Sequence, residues 1–165
     1  ESEMANYEAP IYQVTMTTTF RSAGSTYVNT AANTARRIQI YEYEFGQYGG
    51  LASTDCQVLW DVSRFSSTAI LTATAVVPNL LDGGDVSPLT LFYNNNTGEL
   101  TYTGVNFGLS LKQWAINQRG SYRWRALDDG DNIVVAATAG NGVGIRAQST
   151  NYQGSVVGNL SFIER

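Results

Sequence analysis

Apolar and polar positions alternate along much of this chain, the period of a strand with one face buried. Ser121 to Leu127 is the clearest case: Tyr122, Trp124 and Ala126 fall on one face, Ser121, Arg123 and Arg125 on the other. Ile11 to Phe20 alternates in the same way, as does Cys56 to Phe65, with Val58, Trp60 and Val62 sharing a face. In Ala35 to Phe45 the parity breaks. Ile38 and Ile40 share a face with Glu42 and Glu44, while Tyr41, Tyr43 and Phe45 take the other. Either a bulge exchanges the faces near Ile40, or both faces are partly covered. Leu100 to Val105, Leu109 to Trp114, Ile133 to Ala137, Gly142 to Ser149 and Ser155 to Phe162 complete the strand candidates. Thr68 to Val77 has apolar residues, but its β-branched threonines favour strand or loop over helix. A short turn is compatible with Pro88 to Tyr93.

Turn formers punctuate these runs: Gly49-Gly50, Asp82-Gly83-Gly84-Asp85, Asn94-Asn95-Asn96-Thr97-Gly98, Asp129-Gly130 and Asn141-Gly142. Many short strands separated by such turns predict an all-β fold. The expected form is an antiparallel β-sandwich of jelly-roll type, with about eight strands and at most one short helix. Trp60, Tyr122, Trp124, Phe107, Val143 and Ile145 are the expected core or core-edge residues. The first ten residues, ending at Ala9-Pro10, lack periodicity, so residues 1–10 read as an extended N-terminal arm and 11–165 as a single domain.

Composition narrows the chemistry. The 165 residues are 43% hydrophobic and 15% charged, the balance of a folded chain. A net charge of −4 opposes general nucleic-acid binding, which needs a basic excess. No run approaches the ~20 apolar residues of a membrane-spanning helix, and the acidic stretch Glu1–Glu8 lacks the apolar core of a signal peptide. Cys56 stands alone, so it has no partner for an internal disulfide. There is no histidine, which removes imidazole acid–base catalysis, His-ligated metals and the usual activation of serine or cysteine nucleophiles. Carboxylates, tyrosines and the single lysine, Lys112, are what remains for catalysis, and the composition points to a protein that is not an enzyme and needs no cofactor.

Four constellations carry some chemistry. Glu42 and Glu44, two apart on a strand, project carboxylates roughly 6–7 Å apart, near the separation of inverting glycosidases; a solvated outer face is the simpler reading. Asp128-Asp129-Gly130-Asp131-Asn132 resembles the opening of a calcium loop, but an Asp-Gly hairpin between Trp124 and Ile133 explains the same residues. Gly140-Asn141-Gly142-Val143-Gly144 lacks the lysine and helix of a phosphate loop and reads as a turn. Arg119, Arg123 and Arg125 offer guanidinium groups for docking on an acidic protein surface.

Several runs resemble a family of small structural proteins of tailed bacteriophages. They are Ala35-Arg36-Arg37-Ile38-Gln39-Ile40-Tyr41, Leu59-Trp60-Asp61-Val62-Ser63-Arg64, Asn117-Gln118-Arg119-Gly120-Ser121-Tyr122-Arg123-Trp124, Ala136 to Ile145 and Asn159-Leu160-Ser161-Phe162-Ile163-Glu164. Together they span most of residues 11–165. Pro78-Asn79-Leu80-Leu81-Asp82 fits a further stretch of that family, while Gly83-Gly84-Asp85 departs from its helix-like continuation. The resemblance implies a capsid decoration, or cement, protein with a jelly-roll-like fold, found on the outer surface of the virion and bound to the major capsid protein. It also implies a homo-oligomer, a trimer above all, and no catalytic residue. Partner contacts are then expected from Tyr7, Pro10, Ile11 and Tyr12 of the arm and from Arg123 and Arg125. A carbohydrate-binding or tail-fibre module, with Tyr41 or Tyr43 as stacking platforms, is the alternative, and neither reading calls for nucleic acid or membrane.

Overall fold

The computed structural model describes residues 5–15, 21–28, 36–50, 52–67, 74–88, 91–94, 105–137, 141–149, 152 and 154–165. These residues form twelve strands and one short 3-10 turn, Asp129–Asp131. The strands are β1 (Asn6–Thr15), β2 (Arg21–Val28), β3 (Ile38–Tyr48), β4 (Gln57–Ser67), β5 (Thr74–Val76) and β6 (Asn79–Leu80). Then follow β7 (Leu91–Asn94), β8 (Val105–Asn117), β9 (Ser121–Arg125), β10 (Ile133–Val135), β11 (Asn141–Ser149) and β12 (Ser155–Glu164).

All pairings are antiparallel, in two sheets. The first runs β10-β3-β12-β1-β6, with β9 also on β3; the second runs β5-β7-β2-β11-β4-β8. β9 pairs with Glu42–Gly46 and β10 with Ile38–Ile40 in the same direction, so they are one interrupted strand on one edge of β3. Counted so, and with the short β5, β6 and β7 set aside, eight principal strands remain. The chain crosses between sheets from β1 to β2, β3 and β4, then from β8 to β9/β10, β11 and β12, which is the double Greek key of a jelly roll. The β4–β8 connection supplies β5, β6 and β7, which widen both sheets beyond β1 and β2.

The core lies between the sheets. Ile38, Ile40, Tyr43 and Phe45 of β3 meet Val58, Trp60 and Val62 of β4 there, with Val143, Ile145 and Ala147 of β11 and Val156, Leu160 and Phe162 of β12. Rings from both sheets meet: Phe45 stacks on Trp60 at 4.3 Å, Tyr43 stacks on Trp124 at 4.7 Å, and Trp114 packs tilted against Tyr122 at 4.8 Å. Such pairs contribute about 0.5–1.5 kcal/mol each beyond the area they bury. Of the expected core, Trp60, Val143 and Ile145 are buried and Tyr122 and Trp124 pack half-buried against it; the Phe107 side chain lies outside the described residues.

The broken parity of β3 is a bulge. Ser161 pairs with Glu42 and Phe162 with Ile40, so Tyr41 is the extra residue and inward-facing positions move from even to odd numbers across it. At the far end of β3, Gly49 and Gly50 both hold positive φ (63° and 55°), which only glycine adopts without strain, and turn the chain towards β4.

Three expectations change. Residues 6–10 are not an extended arm: they open β1, paired with β12 from Asn6↔Ile163 to Pro10↔Asn159, because Tyr7 and Ala9 bury apolar surface. Asp128–Asn132 is not the turn of a hairpin, since β9 and β10 run in the same direction. Val105–Asn117 forms one long strand, β8, instead of two short ones, held to β4 through two register shifts. The Leu100–Gly104 part of the first of these runs lies outside the described residues.

Candidate functional site

The outward face of the first sheet carries the charge. Residues two apart on β3 face the same way, and the β9 register sets Glu42 opposite Arg125 and Glu44 opposite Arg123. Arg123 pairs with both carboxylates, at 2.5 Å to Glu42 and 3.0 Å to Glu44, and Arg125 lies 3.7 Å from Glu42. The two glutamates are therefore a cross-strand ion-pair ladder, each already facing a guanidinium. That arrangement fixes β9 on β3 and leaves little of the pair for general acid–base work.

Beside this ladder an open groove of about 510 Å³ crosses the sheet. Asn132 and Asp129 come from the excursion between β9 and β10, Arg125 from β9, Tyr41 from β3, Ile163 from β12 and Asn6 from β1. Leu81, Asp82 and Asp85 come from the loop after β6, at the opposite edge. The groove thus gathers three carboxylates, one guanidinium, a phenol and two amides around two apolar side chains. Burial raises the Tyr41 pKa above that of an ordinary phenol, opposed by a hydrogen bond with Ser161, so the ring is a neutral hydrogen-bonding group at physiological pH.

The two loops are built alike. Leu81-Asp82-Gly83-Gly84-Asp85 and Leu127-Asp128-Asp129-Gly130-Asp131 share the pattern Leu-Asp-x-Gly-Asp. In each, the first aspartate accepts a hydrogen bond on Oδ1 from the glycine N–H two residues on: Gly84 to Asp82 at 2.9 Å, Gly130 to Asp128 at 2.7 Å. In each, the last aspartate donates its N–H to the carbonyl of the first, at 3.1 Å. The turn satisfies its own backbone, and the leading leucine is left in solvent, Leu81 54% and Leu127 93% exposed. Each loop is also tied to the sheet. Leu81 N–H donates to the Asn6 carbonyl (3.1 Å), Ala126 N–H to the Tyr41 carbonyl (2.8 Å), and Arg165 pairs with Asp129 (3.3 Å).

No family model, curated protein or solved structure matches the chain. Its site is therefore read from its own geometry.

Of the residues expected to contact a partner, Arg125 lines the groove and Arg123 sits beside it, exposed, on the same face. Tyr7 does not reach the surface: it is 1% exposed, stacks on Phe162 and donates its hydroxyl to the Val86 carbonyl. Pro10 and Ile11 pair with Asn159 and Gly158 within β1, and Tyr12 falls at its register shift; their side chains lie outside the described residues. Tyr43 is 1% exposed and cannot serve as a stacking platform, whereas Tyr41 borders the groove. In Asp128–Asn132 the Asp128 carboxylate accepts the Gly130 N–H, the turn chemistry described above, and among the described residues no three His, Cys, Asp or Glu side chains form a group that could hold a metal ion. Sequence reasoning missed Leu81 and Leu127 and the pairing of their loops. The signal was the twice-written Leu-Asp-x-Gly-Asp.

Proposed function

We propose that this chain is a non-enzymatic virion structural protein that decorates and stabilises a bacteriophage capsid, binding the shell of the major capsid protein from outside. The resemblance of the strand and turn motifs to those of phage structural proteins is what suggests the phage setting, and the jelly-roll order agrees with the fold that resemblance implies. A fold alone hosts many functions, so the weight falls on the surface. The observation that carries the reading is the open groove on the outward sheet face, where Leu81 and Ile163 lie among polar and charged groups and the loop that supplies Asp129 also exposes Leu127, a mixed apolar and polar surface that suits protein docking. In this reading the protein acts as a homo-oligomer, with a trimer favoured, and repeated contacts on a repeating shell multiply a modest affinity.

Co-sedimentation with purified, undecorated capsids tests it: the protein should pellet with shells to a fixed stoichiometry. Protein that stays in the supernatant at micromolar concentration refutes the reading. A second reading, glycan binding by a receptor-binding module, draws on Tyr41 among Asn6, Asn132 and Asp82, because ring stacking beside amides and carboxylates suits a sugar. Several clear hits on a glycan array would favour it over capsid decoration.

A further inference from the structure

We infer that the groove between the twin loops receives an extended basic segment of a partner protein, with cationic side chains at Asp82, Asp85 and Asp129 and apolar ones against Leu81 and Leu127. The inference rests on the proposed docking role and names the chemistry of its partner.

Charge selects the occupant. Three carboxylates face one guanidinium, Arg125, which itself stands 3.7 Å from Glu42. Asp129 has Arg165 for a partner, but that contact is exposed on both sides and readily exchanged for another cation. Nucleic acid and anionic lipid are repelled by such a surface. The chain's own first residues, with Glu1 and Glu3, are equally unsuited. The carboxylates are spread along the groove instead of gathered at a point, which fits separate lysines or arginines on a peptide better than one ion.

Geometry sets the length. The groove runs across the strands from the β9–β10 excursion to the loop after β6, four strand-to-strand steps of the first sheet. At about 4.8 Å per step that is about 19 Å, and at ~3.3 Å per residue six extended residues bridge it. The aspartates stand towards both ends of that span. The leucines are carried by the same two loops, so a segment with a cation at each end and an apolar residue next to each satisfies both at once. Tyr41, Asn6 and Asn132 remain to hydrogen-bond its backbone.

The test uses the full chain, labelled for amide NMR, and the blocked hexapeptide Lys-Leu-Thr-Thr-Leu-Lys. Glu-Leu-Thr-Thr-Leu-Glu serves as the control. The basic peptide should shift amides at Tyr41, Leu81 and Leu127, more weakly as salt rises, and the acidic one should not. The triple variant Asp82→Asn, Asp85→Asn, Asp129→Asn keeps the oxygen that caps Gly84 and should melt like the parent. It should bind the basic peptide about tenfold more weakly, the loss of several exposed ion pairs. Leu127→Ser should also weaken binding. Equal binding of the acidic peptide, shifts confined to other surfaces, or unchanged affinity in the folded triple variant each overturn the inference. Capsid sedimentation separates it from the functional reading. If parent and triple variant pellet alike, decoration stands and the groove is not its contact. If neither pellets while the peptide binds the groove, decoration falls and the groove's chemistry stands.

Discussion

Replacing Tyr7 decides whether the chain's start is structure or appendage. The side chain is 1% exposed, its ring stacks on Phe162 with centroids 5.3 Å apart, and its hydroxyl donates 2.9 Å to the Val86 carbonyl. Truncating a buried aromatic to alanine costs about 3–5 kcal/mol, through lost transfer energy and the cavity left behind. Tyr7→Phe keeps the ring and loses one hydrogen bond, about 1 kcal/mol. With a urea m-value of about 2 kcal/mol/M, the midpoint should fall by about 2 M for Tyr7→Ala and about 0.5 M for Tyr7→Phe. For a domain with a stability of about 5–15 kcal/mol, the alanine variant loses a large fraction of it. Deleting residues 1–9 should be worse still, because β6 then loses the Tyr7↔Leu80 and Glu8↔Asn79 pairs. Equilibrium urea unfolding followed by tryptophan fluorescence reads all three. If Tyr7→Ala moves the midpoint by less than about 0.3 M at unchanged m, residue 7 is not in a packed strand and the account of β1 is wrong.

Three more outcomes follow from the same contacts. Gly158→Ala should destabilise by about 1–3 kcal/mol or more, because a Cβ there would collide with the Glu44 carbonyl and press on Phe45 of the paired strand; a thermal melt within a degree of the parent would contradict the β3–β12 register. Arg123→Ala removes the ion pairs to Glu42 and Glu44 from an arginine that is 57% exposed, leaves Arg125 beside Glu42, and should cost about 1 kcal/mol, less in high salt; a loss of several kcal/mol in urea unfolding would mean that the ladder is not a surface feature. Burial raises the pKa values of Tyr7, Tyr41, Tyr43, Tyr152 and Cys56 above their unfolded values, so the folded state holds these protons longer. Their contribution is complete below the unfolded values of 9.0 for Cys56 and 10.0 for the tyrosines, and is lost as pH rises through the folded ones. Melting temperatures should therefore fall from about pH 9 upward; a melt that stays flat to pH 11 would argue against these burials.

The fold was legible wherever one strand face meets the core. Tyr122 and Trp124 face in and Arg123 and Arg125 out, as their alternation requires, and the parity break in β3 announced its bulge. β2 (Arg21–Val28) escaped notice because Arg21-Ser22-Ala23-Gly24-Ser25-Thr26 has almost no apolar alternation; its place comes from pairing with β11 and β7. β1 was mistaken at its start because Tyr7 and Ala9 are separated by Glu8 and bounded by Asn6 and Pro10, too short a pattern to stand out before the sheet is assembled. Of the groove, Arg125 was legible as an outward cation and Tyr41 as a surface ring. The aspartates were read as turn residues, which they are. That both turns border one groove depends on β6 and the β9–β10 excursion lying at opposite edges of a sheet, a long-range fact that local pattern does not contain.

The groove's position follows from the bulge. At Tyr41 the β3 backbone gains one residue over β12, and opposite that point the edge strand breaks, β9 ending against Glu42 and β10 starting against Ile40. The Tyr41 carbonyl, left without a ladder partner on that side, accepts the Ala126 N–H as the chain departs. Ala126 to Asn132 then loop out and return in register, carrying Leu127 to its exposed tip. An interrupted edge strand also resists pairing with a stray sheet, and Arg123 and Arg125 beside the break add charge to the same defence. One extra residue therefore places Tyr41 beside the groove, opens the edge for the second Leu-Asp-x-Gly-Asp turn and guards that edge. On this account the bulge is the part of the fold on which the docking surface depends, and a variant that removed it would flatten the surface before it unfolded the sandwich.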